Sequence, residues 1–337
     1  MKPFRALSIC IILTIAGCAG ANVTPGSSVP NPASQSATSG LGSAALVPGN
    51  VGPAPIHHRA PAIRVEPDKT SYRRALYVGD CVTASIKILS NTYYHERGVI
   101  TNGITCPIAE SMDQQGNLYV ANSGGTFEGD VLEYAPGGTS PSFTYSANMG
   151  QPLAVTVDRH GNVYEAGNES ASSLTINEYF QKFNTPVKSC QVPGNQDPFG
   201  LAVDTSGDVF VSGDRALYEF SGGLGNCNPT LLMSLEYMAP QGMVLDSNND
   251  LLLGDGLYGG AYVIAPPYSA VTSTIGEGQG QATSLSLNRK NNLLFIASGF
   301  TDVLVYNYQT GALVKTLDST YGISNSASVV DAPNAVY

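Results

Sequence analysis

The sequence predicts an all-β chain folded as a six-bladed β-propeller, with four antiparallel strands per blade and a ring closed by strands from both termini. Three observations carry that prediction: a repeated unit, the interval at which it recurs, and a composition suited to short strands. The unit is clearest from Pro152 to Ala166, PLAVTVDRHGNVYEA, where two apolar runs flank an Asp-x-x-Gly-Asn turn. It recurs at Pro107 (PIAESMDQQGNLYVA), Pro198 (PFGLAVDTSGDVFVS) and Pro240 (PQGMVLDSNNDLLLG), and more faintly at Ala282 and Asn325. Aligned on the turn residue, the units fall at Asp113, Asp158, Asp204, Asp246, Asn288 and Asp331, which by subtraction gives intervals of 45, 46, 42, 42 and 43 residues. A period of about 40–50 residues holding several strand patterns is the signature of a propeller. The composition agrees: 42% hydrophobic and only 12% charged, with 37 Gly, 18 Tyr and no Trp, suits strands and tight turns over charged helices.

The chain opens on an address. Residues 1–5 carry Lys2 and Arg5, and an apolar run of ten residues, 6–15, follows. That run is too short to span a bilayer at about 1.5 Å per residue but fits the hydrophobic region of a signal peptide. It ends in Ile15-Ala16-Gly17-Cys18, which resembles the lipobox of bacterial lipoproteins. The resemblance implies that residues 1–17 are removed and that Cys18 becomes the lipidated first residue, anchoring the protein to the cell envelope. Several acyl chains on one residue hold durably where a single chain does not. Ala19 follows where an Asp would direct inner-membrane retention, which points to the outer membrane.

Residues 18–70 are rich in Gly, Ser, Pro, Ala and Thr and cannot bury enough apolar surface to offset the entropy of ordering them. They read as a flexible tether, and a coil of about 50 residues spans roughly 40 Å. His57 and His58 fall within it and read as linker residues. The formal charge is −10, and removing residues 1–17 leaves 14 basic against 26 acidic residues, or −12. Such a surface argues against nucleic acid and against docking on anionic lipid.

Residues 71–337 form the propeller. In the unit from Pro107, strands are expected at 108–112, 117–121, 131–135 and 142–146. The turn Asp explains itself locally, since its carboxylate accepts backbone N–H groups two residues on and the Gly supplies a positive φ. Residues 75–105 hold three strands (75–78, 85–89 and 98–101) but no first strand, whereas 327–330 is a first strand with no complete blade after it. The two fragments fit each other and close the ring, removing two aggregation-prone edges. Residues 334–337 compete with 75–78 for the second-strand position.

The pattern Pro-x-Gly-φ-x-φ-Asp-x-x-Gly-(Asn/Asp)-φ-φ-φ resembles the NHL repeat, which implies six blades. The likeness spans 75–337 and is strongest at Pro107, Pro152 and Pro198. It weakens where Asn288 replaces Asp and where Ala282 and Asn325 stand without the leading Pro.

Apart from Cys10 and Cys18, four cysteines remain, and in an exported chain they allow three connectivities. Cys81 follows a second strand and Cys106 precedes the next blade's first strand. Those ends share a face, so the two can pair. Cys190 lies in an outer strand and Cys227 before the next one. Outer strands diverge at the perimeter, which counts against that second pair.

Propellers bind ligands where the loops after the second strands converge with those between blades. Here these loops offer Asp80, Asn122, Asn168, Asp214, Asp255 and Ser298, a ring of oxygen donors that could hold Ca²⁺ or another divalent cation. The same residue types also serve any tight loop. Two departures from the repeat are sharper. Glu110 stands where other units have Val155, Leu201, Met243 and Leu285, and Glu165 where they have Val120, Val211, Leu253 and Phe295. A carboxyl in an apolar slot is costly unless paired or liganded. Both lie on inner strands of neighbouring blades and could approach each other.

Catalytic patterns are sparse. His160 sits in a turn and His95 in a loop on the opposite face, and no nucleophile, phosphate loop or zinc motif is recognisable. Gluconolactonase-like propellers, which use carboxylate and Asn metal ligands, are matched in residue type by Glu110, Asn122, Asn168 and Asp255. The His of virginiamycin-lyase-like propellers has no match. The sequence thus points to a monomeric lipoprotein whose propeller binds a protein or small molecule without catalysis, with a metal-dependent lactonase as the alternative.

Overall fold

The computed structural model describes residues 74–332 apart from 126, 171–172, 195–198, 214, 237 and 300. The signal segment, Cys18, the tether with His57 and His58, Asp214 and residues 334–337 lie outside the described residues.

Six four-stranded antiparallel sheets form the blades. The first joins β1 (Ala75–Asp80), β2 (Ser85–Ser90) and β3 (Glu96–Ile100) to a strand from the far end of the chain. The second comprises β4 (Pro107–Met112), β5 (Leu118–Gly125), β6 (Glu128–Tyr134) and β7 (Phe143–Tyr145). β8 (Gln151–Val157), β9 (Val163–Ser170), β10 (Ser173–Tyr179) and β11 (Lys188–Gln191) make the third. The fourth is β12 (Leu201–Val203), β13 (Val209–Gly213), β14 (Ala216–Phe220) and β15 (Thr230–Ser234). The fifth is β16 (Pro240–Leu245), β17 (Leu251–Asp255), β18 (Ala261–Ile264) and β19 (Ser273–Ile275). β20 (Ser284–Leu287), β21 (Leu293–Ala297), β22 (Val303–Asn307) and β23 (Leu313–Leu317) complete the sixth, and β24 (Ser328–Asp331) returns to the first blade.

Closure follows the sequence expectation. β24 pairs antiparallel with β1 from Leu76↔Asp331 to Gly79↔Ser328, so the C-terminal strand is the innermost of a blade otherwise built from the N-terminal side. The innermost strands touch in an unbroken cycle, β4–β8–β12–β16–β20–β24 and back to β4. Side chains of the last blade help seat the closing strand: Ser286 Oγ accepts from Asp331 N at 2.9 Å, and Thr283 Oγ1 donates to Ala327 O at 3.1 Å.

The repeat acid builds the turn as its chemistry requires. Asp113 Oδ1 accepts from Asn117 N at 2.8 Å while Gly116 adopts φ 86°. Asp158 Oδ1 takes His160 N and Asn162 N, both at 2.8 Å. Asn288 retains the geometry, its Oδ1 accepting from Asn292 N at 3.0 Å and Leu293 N at 3.1 Å. In the fifth and sixth blades Asn249 and Asn291 replace the turn Gly and adopt φ 61° and 49°. Asn tolerates this left-handed region better than other side chains.

The cores lie between blades. Blade pairs one–two, two–three, three–four, four–five, five–six and six–one each share a cluster of buried apolar side chains. Tyrosine fills the role that Trp would take. Tyr119, Tyr134, Tyr145 and Tyr179 are among the largest fully buried side chains. Their hydroxyls find partners, as when Tyr134 donates to Asn102 O and Tyr179 to Ala147 O, each at 2.7 Å. An apolar body with a satisfied polar tip suits a buried tyrosine.

Both cysteine pairs are joined, Cys81–Cys106 and Cys190–Cys227, with Cα–Cα distances of 4.1 and 5.1 Å. The second corrects the expectation from strand divergence. A short 3₁₀ turn at Leu224–Asn226 packs against β11 and carries Cys227 back to Cys190. Each bridge links neighbouring blades. Closing loops of 25 and 37 residues is worth about 3–4 kcal/mol apiece through the entropy of the unfolded chain.

Candidate functional site

The loop face gathers most of the predicted oxygen ring but uses it to hold loops. Asp80, at the end of β1, accepts from Val82 N at 2.8 Å and Thr83 N at 3.0 Å. Asn122 Oδ1 accepts from Thr105 N (2.6 Å) and Cys106 N (3.2 Å), fixing the entry to β4, while its Nδ2 donates to Gly103 O and Asp130 Oδ1. Asp255 repeats the arrangement three blades on. Its Oδ1 takes Ala239 N at 3.0 Å and Leu257 N at 2.8 Å, and its Oδ2 takes the Tyr262 hydroxyl at 3.0 Å. Ser298 Oγ faces Gln279 O at 3.5 Å, and Asn168 is buried between β8 and β10. Oxygens committed to backbone N–H groups form rigid loops, and no three His, Cys, Asp or Glu gather as a metal-holding group among the described residues.

The two outlying glutamates do not meet. Glu165 lies on β9, one strand out from the channel, opposite Val155 and Asn177. Its Oε2 accepts from Asn177 Nδ2 at 3.0 Å, and Asn177 in turn receives Ser189 Oγ. Burial pushes its carboxyl up to about 8, with the Asn177 hydrogen bond opposing the shift and the charge of Glu169 adding to it. Glu165 is thus the head of a polar network inside one blade.

Glu110 occupies the channel. The residues three before each turn acid are Glu110, Val155, Leu201, Met243, Leu285 and Ser328. The first five line a central cavity of about 70 Å³, and Ser328 is fully buried beside it. Glu110 is 8% exposed, and neither of its carboxyl oxygens has a hydrogen-bond partner among the described residues. Ser328 Oγ stands near the carboxyl and partly offsets its shift, but Oγ also lies 2.9 Å from Pro107 O, which takes its proton. Burial raises the carboxyl to about 8, the neighbouring Ser328 hydroxyl opposes the shift, and with that hydroxyl's proton committed to Pro107 O no side chain among the described residues donates to the carboxylate.

The cavity does not lie among the loops expected to bind. Its lining extends to the turn residues Asp204 and Asn249 and includes none of the loops after the second strands. It therefore faces the turn side, opposite the expected binding face. Asp204 was missed as a site residue because its repeat role explained it. Its Oδ1 accepts from Ser206 N and Asp208 N, both at 2.8 Å. Asp113 and Asp158 also engage Oδ2 through Asn117 and Asn162, but the fourth blade has Asp208 at that position, which offers no such donor. The Gly-Asp in place of Gly-Asn was the signal.

No family model matches the chain, and no curated protein does either. Among solved structures, 1458 chains match it, so the fold is widely shared and does not select a function. One is a crystal structure of a protein of unknown function from Bacteroides caccae, with a TM-score of 0.59 and 13% identity, covering 77% of this chain and 99% of that one. The likeness is one of fold.

Proposed function

We propose that the protein is an envelope-tethered lipoprotein whose NHL-like propeller is a non-enzymatic binding module, presenting its loop face to a protein partner. The observation that carries this reading is the engagement of Asp80, Asn122 and Asp255 with loop backbone, which makes that face a fixed polar frame. Val82, Leu257 and Tyr258 stand 76, 47 and 55% exposed on the same loops, the kind of amphipathic contact surface that recognition uses. The two inter-blade disulfides suit an oxidising compartment. A metal-dependent lactonase would need Glu110, Asn122, Asn168 and Asp255 to share an ion. Asn122 and Asp255 face their own loops instead, and Glu110 opens toward the other end of the channel.

The test joins anchor and face. Metabolic labelling with a fatty acid should mark the wild type and not Cys18→Ala, which should also leave the membrane fraction. A photo-reactive amino acid placed at Tyr258 should cross-link a discrete envelope protein, whereas one at Lys290, on the turn side, should not. Unlabelled wild type sinks the anchor, and equal cross-linking from both positions sinks the binding face.

A further inference from the structure

We propose that the central channel binds a primary alkylammonium group, entering from the turn face with its charge against Glu110 and its alkyl stem between the apolar side chains of the channel wall. This goes beyond the loop-face reading and concerns the opposite end of the molecule. Glu110 lies in the deepest layer of the cavity, more than nine-tenths buried and without a hydrogen-bond partner among the described residues. A carboxyl left in that state calls for a donor from outside. The rest of its layer is Val155, Leu201, Met243 and Leu285, with Ser328 closing the ring and its hydroxyl donated to Pro107 O. Those four apolar side chains suit methylenes, while Ser111, Thr156, Asp204 and Asn249 supply the polar part of the lining.

Charge at the mouth selects the same ligand class. Asp204 lines the turn end of the cavity, and no Lys or Arg is among the lining residues. On the turn side, Asp208 and Asp250 stand beside the turn acids Asp204 and Asp246, whose carboxylates accept their backbone N–H groups, and the acidic side chains of the turns outnumber the basic Arg159, Arg289 and Lys290. Low-dielectric walls focus the field of such an acidic excess and concentrate cations. A hard divalent ion fits poorly, because it takes six to eight oxygen ligands and the deep layer supplies one carboxyl. An anion would have to pass the Asp204 carboxylate at the mouth. A cavity of about 70 Å³ accepts an ammonium head and a short stem, with the remainder of a longer chain emerging past Asp204. Free amines and lysine side chains share this chemistry.

Calorimetric titration of the purified full-length protein separates the outcomes. n-Butylammonium should bind saturably at one site and n-butanol, its neutral analogue, should not. Charge-assisted hydrogen bonds to a buried partner predict at least a tenfold loss of affinity in Glu110→Gln. Asp204→Asn at the mouth should cost about threefold through the field alone. That variant changes a partly exposed oxygen and keeps the test open if Glu110→Gln misfolds. Heat from Nα-acetyl-lysine amide equal to that from butylammonium admits a protein lysine as the source, and heat from butylammonium alone restricts the site to free amines. Equal binding of butanol, binding unaffected by either substitution, or a calcium heat lost in Glu110→Gln without any amine heat would overturn the proposal.

Discussion

Removing residues 326–337 is expected to abolish cooperative folding. β24 supplies the innermost strand of the first blade, and Ser328, Val329 and Val330 are fully buried. Burying each valine contributes about 1.5–3 kcal/mol, and the ladder with β1 is lost as well. The remaining chain would expose the inner edge of β1 and the flanks of β4 and β20, which β24 covers. An open edge of that kind templates aggregation. Against a total stability on the order of 5–15 kcal/mol, the combined loss leaves little folded protein. Gly79→Val attacks the same seam from the other side. A side chain at Gly79 would run into Ser328 Oγ and Pro107 O, so this variant should melt well below the wild type. Thermal unfolding followed by circular dichroism, with gel filtration for aggregation, reads both changes. Adding a peptide of residues 326–337 should restore a monomeric species. A truncated chain that melts as sharply and as high as the wild type would mean that the ring does not depend on its closing strand.

The same closure shows how much of the fold was legible and why. Six turn residues at near-constant intervals, a headless set of three strands at one end and a lone first strand at the other leave one consistent arrangement, because unpaired edges are costly. The turn acids were legible because their hydrogen bonds are local: the partners of Asp158 are two and four residues away. The site was less so. Repeat alignment assigned Glu110 and Glu165 to inner strands but not to distances from the axis. Glu110 stands on the channel-lining strand and Glu165 one strand outward, facing Asn177. The loop-entry partners of Asn122 and Asp255 lie 16 or 17 residues back, too far along the chain for a local turn pattern to announce them. Cys190–Cys227 depended on the turn at Leu224–Asn226, which breaks the repeat. Ser328 could have been recognised as the sixth member of the Glu110 ring, since it lies three residues before Asp331 as Glu110 lies before Asp113.

Stability is expected to fall as pH rises from about 5 to about 8. Burial lifts Glu110 and Glu165 from 4.5 to about 8, and lifts Asp331 from 3.8 to about 8. Between those values the folded chain holds protons that the unfolded chain has released. Unfolding therefore sheds protons and becomes easier with every increase in pH. The contribution of each group is fully present below its unfolded value near 4 and is lost as pH climbs through its folded value near 8. Each tenfold change in acidity corresponds to about 1.4 kcal/mol. Relaxation and water entry around a buried carboxylate reduce that figure, so a loss of about 2 kcal/mol per group is a reasonable scale. For a domain of this size that is roughly 4–8 °C in melting temperature per group. Glu110→Gln and Glu165→Gln keep the shape of the side chain and remove the titration, and the amide oxygen introduced by the second can still accept from Asn177. Each should flatten part of the profile and raise the melting temperature at pH 8 relative to the wild type. Melting curves from pH 5 to 9 on the wild type and on the double variant decide it. Parallel profiles would show that neither glutamate is held protonated in the fold, and Glu110 would then have to be charged and paired in the folded chain at neutral pH.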